Sequence, residues 1–208
     1  MRAEPRRVDA RRNRETILRA ADEAFTENTG TVALEDIARR AGLGRATVYR
    51  HFPDRRALAL AVAAEHLAAL KLVARQRPPF RELLHAVLAM QVERRSLVRV
   101  FRELPERSQR QFTHALIAVL RPAFDEAQRD GTLRRDLQPA DLALLFEMLE
   151  AALSGGPAPA DRAEAVRRLV EVLLDGLFRC GANGGHRGAA DRVSVTASAE
   201  APKEKSPP

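Results

Sequence analysis

The sequence predicts an all-α chain: a small N-terminal three-helix domain followed by a larger helical bundle. Three observations carry this. No segment alternates apolar and polar residues as a half-buried strand would. Apolar residues instead recur at spacings of three and four from Ile17 to Leu177. The stretches between these runs carry turn chemistry, from Asn28-Thr29-Gly30 and Gly42-Leu43-Gly44 to Pro53-Asp54, Pro78-Pro79, Asp130-Gly131 and Ser154-Gly155-Gly156-Pro157.

The elements follow in order. Residues 1–10 hold Pro5, mixed charge and no periodicity, and are expected to form a disordered arm. A first helix is expected from about Val8 or Asp9 to Glu27, with Ile17, Ala20, Ala21, Ala24 and Phe25 on one face. Gly30 suits a left-handed stop. A short helix from Leu34 to Ala41 has Glu35 and Asp36 in its first turn, where the helix dipole favours acids. A second short helix spans Arg45 to Phe52. The next starts with Asp54 as N-cap and runs to about Gln76. Beyond Pro78-Pro79, helices are expected at 79–95, 97–104, 105–129, 139–153 and 159–179. Four of these begin with Pro, which loses no hydrogen bond in a first turn. From Gly181 the chain is Gly, Ala, Ser, Pro and charge, the composition of a disordered tail. The expected boundaries are therefore an arm over 1–10, a head over 11–56, a body over 57–180 and a tail over 181–208.

Charge separates head from body. The 208 residues carry a net +7. Residues 1–75 hold 15 Lys/Arg and 10 Asp/Glu, whereas residues 76–180 hold 16 and 15. A basic module thus precedes a nearly neutral one, which points the first towards a polyanion. The basic N-terminus is not followed by an apolar run, so it is not a secretory signal. No run of 18 apolar residues is present, so no membrane span is expected. The expected compartment is the cytoplasm.

The two short helices have the spacing of a helix-turn-helix. Two helices joined by a three-residue turn cross closely, so the first needs a small residue at the crossing: Ala38. The turn needs positive φ: Gly42. The second helix needs an apolar pin: Val48. Ile37, Ala41 and Leu43 complete a small core. The outward face of the second helix then carries Arg45, Thr47, Tyr49, Arg50 and His51. Arginine reads guanine edges in the major groove, and the other side chains offer donors to phosphates. Six Arg and one acid lie between Arg39 and Arg56. On spacing alone, two ordinary short helices with a solvated basic face would look the same.

These residues resemble a known family. The stretch ILRAADEAFTENTG and LEDIARRAGLGRATVYRHFPDRRAL, within Ile17 to Leu58, closely resembles the DNA-binding domain of tetracycline-repressor-like (TetR) regulators. The family's "AA…F", "IA…AG" and "TLYxHF" signatures fall on Ala20, Ala21 and Phe25; on Ile37, Ala38, Ala41 and Gly42; and on Thr47, Val48, Tyr49, His51 and Phe52, followed by Arg55 and Leu58. The resemblance implies that Thr47, Tyr49, His51 and Arg55 touch phosphates, that Arg45, Ala46 and Arg50 face bases, and that Phe52 is core. It also implies a helical ligand-binding body, a homodimer built on the last two helices, and repression of operator DNA relieved by a small molecule. Two positions depart from the family. Ala33 stands where Ser or Thr usually caps the second helix, with Thr31 a substitute, and losing such a cap costs about 1 kcal/mol. Gly44 stands where Ser is frequent, which removes one phosphate contact.

Other residue types add less. His51, His66, His85, His114 and His186 pair with no ligand at zinc spacing, so no metal and no cofactor is expected. No phosphate loop, nucleophile elbow or HExxH pair is present, and an enzyme is not expected. Cys180, at the end of the last helix, reads as inert. In the body, His85, Gln91, His114 and Glu147 are candidate polar anchors for a ligand in an otherwise apolar cavity. Leu142, Leu145, Leu149, Val166, Leu169 and Leu173 form stripes on the last two helices that would bury against a two-fold mate, or would simply close a monomeric body. A non-specific or architectural DNA binder is the remaining alternative.

Overall fold

A computed structural model describes residues 4–27, 31–154 and 162–178. Among the described residues there are nine helices, and the only β pairing is an isolated bridge between Leu133 and Phe178. In chain order they are α1 (Glu4–Glu27), α2 (Leu34–Arg40), α3 (Arg45–His51), α4 (Arg55–Ala74), α5 (Phe80–Glu93), α6 (Arg95–Arg102), α7 (Glu106–Arg129), α8 (Asp141–Ser154) and α9 (Arg162–Leu177). The all-helical expectation holds, and most ends fall within two residues of their expected places. Asn28-Thr29-Gly30, the 155–161 connection, Cys180, His186 and the tail lie outside the described residues.

Local chemistry explains the ends. Asp54 caps α4, its carboxylate accepting from the Ala57 N–H at 2.7 Å. Pro79 and Pro105 occupy the N-cap positions of α5 and α7. Gly42 turns between α2 and α3 with a φ of +64°, a conformation that costs a side chain dearly and glycine nothing. The α2 N-cap is Ala33 with no side-chain cap, so neither Ala33 nor Thr31 fills the usual role.

One expectation fails at the N-terminus. The chain is helical from Glu4, so most of the span read as a disordered arm belongs to α1. Pro5 is tolerated because the first turn of a helix has no N–H partner to lose. Charge and the absence of apolar periodicity tell only that a segment lacks a core-facing stripe, and a helix satisfies that as well as coil does.

Two hydrophobic clusters organise the chain. The head cluster joins Ile17, Ala20, Ala21, Ala24 and Phe25 of α1 to Leu34, Ile37 and Ala38 of α2 and Val48 of α3. The body cluster joins α5, α7, α8 and α9 through Leu84, Leu88, Leu120, Phe124, Phe146 and Leu174. The boundary expected at residue 56 falls inside this arrangement. Leu58, Ala59 and Val62 of α4 pack into the head, while Leu67, Leu70 and Ala74 further along the same helix pack on the body. Leu97 and Val100 of α6 also belong to the head cluster. By length and composition α4 could cross a membrane. Part of its apolar surface is spent on two cores, and a helix serving both must be apolar on more than one face; Leu72 and Val73 stay exposed.

Candidate nucleic-acid interface and body cavity

The turn is built as the spacing demands. Ile37, Ala38 and Val48 are buried, and the Leu43 N–H donates to the Ala38 carbonyl at 3.0 Å, closing the chain over Gly42. With Val48 pinned inward, the other side of α3 faces solvent. Arg45, Ala46, Tyr49 and Arg50 are exposed, Thr47, His51 and Arg55 half-buried, and Phe52 buried. None of the seven residues expected to meet DNA is buried; six lie on α3 and Arg55 opens α4.

Several are already engaged. The Tyr49 hydroxyl donates to Glu35 Oε1 of α2 at 2.8 Å. That hydrogen bond lowers the Glu35 carboxyl from its ordinary value and raises the Tyr49 phenol. Arg50 donates to the Ala46 carbonyl and to Thr47 Oγ1, both at 3.1 Å. Arg55 donates to Glu103 at the end of α6 at 2.6 Å. Arg14 of α1 lies 4.8 Å from the centre of the Phe52 ring, placing a further cation beside the recognition segment.

A second polar cluster joins head to body. Asp22 of α1 accepts from Arg94 Nε at 2.7 Å and Nη2 at 3.2 Å, and from His66 Nε2 of α4 at 2.8 Å. Burial pushes the Asp22 carboxyl up, but the hydrogen bonds and charges of His66 and Arg94 outweigh it and hold it well below the usual carboxylate range. Sequence reading missed this triad because 44 and 72 residues separate Asp22 from its partners.

The four proposed ligand anchors do not come together. His85 is exposed on α5, with Nε2 3.1 Å from Glu171 of α9. His114 and Glu147 face solvent. Only Gln91 points inward: it is 7% exposed, and its Oε1 has no hydrogen-bond partner. It lines a cavity of about 50 Å³ with Leu97, Phe101, Phe112, Phe146 and Glu150. Glu150, which sequence reading overlooked, is partly buried there. Burial pushes its carboxyl up to about 6, opposed by the Arg102 charge and reinforced by that of Glu147. His85, His114 and Glu147 were misplaced because a helix carries polar residues on every side that its neighbours leave open.

The stripes on α8 and α9 divide likewise. Leu142, Leu149 and Val166 are buried in the protomer's own core. Leu142 is thus a correction: it packs inward and is not part of the open face. Leu145, Leu149, Val166, Leu169 and Leu173 line a groove between the two helices together with Met148. Leu144, Met148, Leu169 and Val172 on these two helices are between 60% and 67% exposed.

A basic recognition helix held outward by a three-helix head, on a helical body with a small partly open cavity, is the build of a helix-turn-helix transcription regulator. Residues 17–62 match the family of bacterial regulatory proteins known as tetR. The chain is 31% identical to the TetR transcription regulatory protein of Mycobacterium vanbaalenii, with a TM-score of 0.56 over 83% of this chain and 99% of that one. It is 28% identical to a TetR transcriptional regulator of Streptomyces coelicolor, with a TM-score of 0.54 over 79% and 98%. An uncharacterized HTH-type transcriptional regulator of Mycobacterium bovis is 44% identical over 55 residues, 26% of this chain and 29% of that protein's length. The match to this curated relative therefore spans less than a third of it. The chain belongs to the TetR family of transcription regulators. It carries the family's DNA-binding domain.

Proposed function

We propose that the chain is a cytoplasmic, non-enzymatic repressor that binds operator DNA as a homodimer and leaves it when a small molecule occupies the body. The outward face of α3 carries this reading. Exposed Arg45 and Arg50 support reading of base edges, and the small, exposed Ala46 supports close approach. Thr47, Tyr49, His51 and Arg55, none of them buried, support phosphate contacts. The Leu144, Met148, Leu169 and Val172 surface supports a two-fold mate, since exposed large apolar side chains on adjacent helices are what an interface covers. The cavity around Gln91 and Glu150 supports an effector.

Footprinting on the DNA upstream of the chain's own gene tests the reading. A discrete palindromic footprint is expected, with half-sites one helical turn or a multiple apart. If the dimer neutralises roughly six to ten phosphates, affinity should fall by about 10³ or more between 50 and 200 mM salt. Leu169→Glu with Val172→Glu should yield monomers in light scattering that keep only weak binding. Diffuse protection along the whole fragment would favour an architectural binder and overturn the reading.

A further inference from the structure

We propose that the cavity between α5, α6, α7 and α8 takes an amphiphilic amine, its protonated nitrogen held between Gln91 and Glu150 and its apolar body running towards α4. This rests on the effector reading above and names the chemistry of that effector.

The polar end follows from what the cavity lacks. Gln91 Oε1 is buried with no partner, whereas buried acceptors are almost always satisfied. An amide can turn either its oxygen or its nitrogen to a ligand, so Gln91 alone leaves the sign open. Glu150 of α8, which lines the same space, decides it. An ionised carboxylate only accepts, and it carries negative charge. The charged groups acting on it are Arg102, which favours its ionised form, and Glu147, which opposes it. No ion pair to Glu150 is present among the described residues, and burial makes its charge costly. A ligand ammonium would supply the missing donors and the missing charge together. The rings of Phe101, Phe112 and Phe146 also line this space. Their faces attract cations and tolerate hydrocarbon.

The apolar end follows from the neighbouring space. A groove of about 200 Å³ lies between α4, α5 and α7, walled by Leu67, Leu70 and Val73. Met90, Phe112 and Leu116 line both spaces. Methionine has three rotatable bonds and repacks readily, so the wall between them can open to a flexible chain. A molecule with a cationic head and a medium-length alkyl body would span the two, while a carboxylate in the same place would meet Glu150 charge to charge.

Titration calorimetry on the full-length chain tests this with octylammonium chloride, sodium octanoate and 1-octanol at about pH 8, where a carboxyl of this kind is ionised. Octylammonium is expected to saturate one site per protomer and to bind about tenfold or more tighter than either other probe, the gain of a charge-assisted hydrogen bond. The chain's net positive charge would by itself favour octanoate, so the preference cannot arise from unspecific attraction. Glu150→Gln, which is isosteric and removes a costly charge, should bring octylammonium to within about threefold of octanol. Gln91→Leu should weaken octylammonium more than octanol, because the ammonium's hydrogen bond to Oε1 is charge-assisted and the hydroxyl's is not. Tighter binding of octanoate or octanol, no binding of any probe, or an ammonium preference that survives Glu150→Gln would overturn the proposal. Octylammonium that binds but leaves operator DNA bound would uphold this chemistry and end the effector reading. Release of DNA by octanoate alone would do the reverse.

Discussion

Head and body are both helical, yet they are packed to different standards. The head buries only apolar side chains, many of them small, in helices joined by short turns. The body buries larger Leu and Phe side chains. It also holds the buried polar Gln91. It keeps a cavity, an acceptor without a partner and a carboxyl with a raised pKa. A domain that must present one rigid surface to DNA gains from a closed core, because a fixed geometry pays the ordering cost before binding. A domain that must respond to a ligand gains from a core with unmet valences, because only differential contacts can shift a conformational equilibrium.

The sharpest test of this contrast is a pair of truncations. Phe25 is fully buried in the head, whereas Phe112 is half-buried on the cavity wall. Phe25→Ala should cost about 3–5 kcal/mol in denaturant unfolding, as a filled site does when it cannot collapse. Phe112→Ala should cost well under half of that. Equal losses would remove the distinction between a tight head and a looser body.

The next largest effect concerns the joint between the two. Asp22→Asn weakens the hydrogen bonds from Arg94 and His66, a loss of about 1.5–3 kcal/mol at neutral pH. The Asp22 carboxyl lies below its ordinary 3.8, so its contribution is complete above that value and is lost as pH falls through the lower, folded-state range. The stability gap between wild type and variant should therefore close in acid. A gap that persists in acid would mean that the variant acts through packing and not through charge.

Glu150 should behave in the opposite sense. Its folded value of about 6 lies above its ordinary 4.5. Its contribution is thus full below pH 4.5 and is lost as pH rises through about 6. Glu150→Gln should accordingly stabilise the chain above that range by about 1 kcal/mol, the shift being discounted for partial exposure. Thermal unfolding at several pH values would show the gain appearing between these limits. A variant destabilised at neutral pH would mean that the carboxylate is already well paired.

The smallest effect concerns a contact that crosses from body to head. Glu103 holds Arg55 at 2.6 Å in the absence of DNA. If Arg55 meets a phosphate, Glu103→Gln should release it and raise operator affinity by roughly two- to fivefold, the range of a surface ion pair below about 1 kcal/mol. Fluorescence anisotropy with a labelled operator would detect this. No change would place Arg55 outside the DNA surface and leave Arg45, Thr47 and Arg50 to carry the contact.

Much of the recognition segment was legible in the residues. Ala38, Gly42 and Val48 answer to demands that lie within a dozen residues of one another: a close crossing, a positive φ and an inward pin. The Asp54 cap and the proline starts are equally local. The body anchors were mostly not legible. His85, Gln91, His114 and Glu147 look alike in sequence, and only packing separates Gln91, enclosed by four helices, from three side chains left in water. Glu150 had no signal at all, since a single acid on an apolar helix reads as its solvent edge.

The sequence by itself determined the number and kind of the elements, the turn that holds α3 outward, and the family to which the head belongs. Each rests on short-range chemistry, namely helical periodicity, caps and the freedom of glycine at positive φ. Tertiary structure alone decided that α4 serves two cores, that α6 lends Leu97 and Val100 to the head, that Asp22 ties α1 to Arg94, that Leu142 packs inward while Leu169 stays 62% exposed, and that Gln91 and Glu150 share a cavity. Periodicity gives a residue's angle around its own helix axis. It does not say which neighbours will stand at that angle, and in a body whose helices are apolar on more than one side, the neighbours set the chemistry.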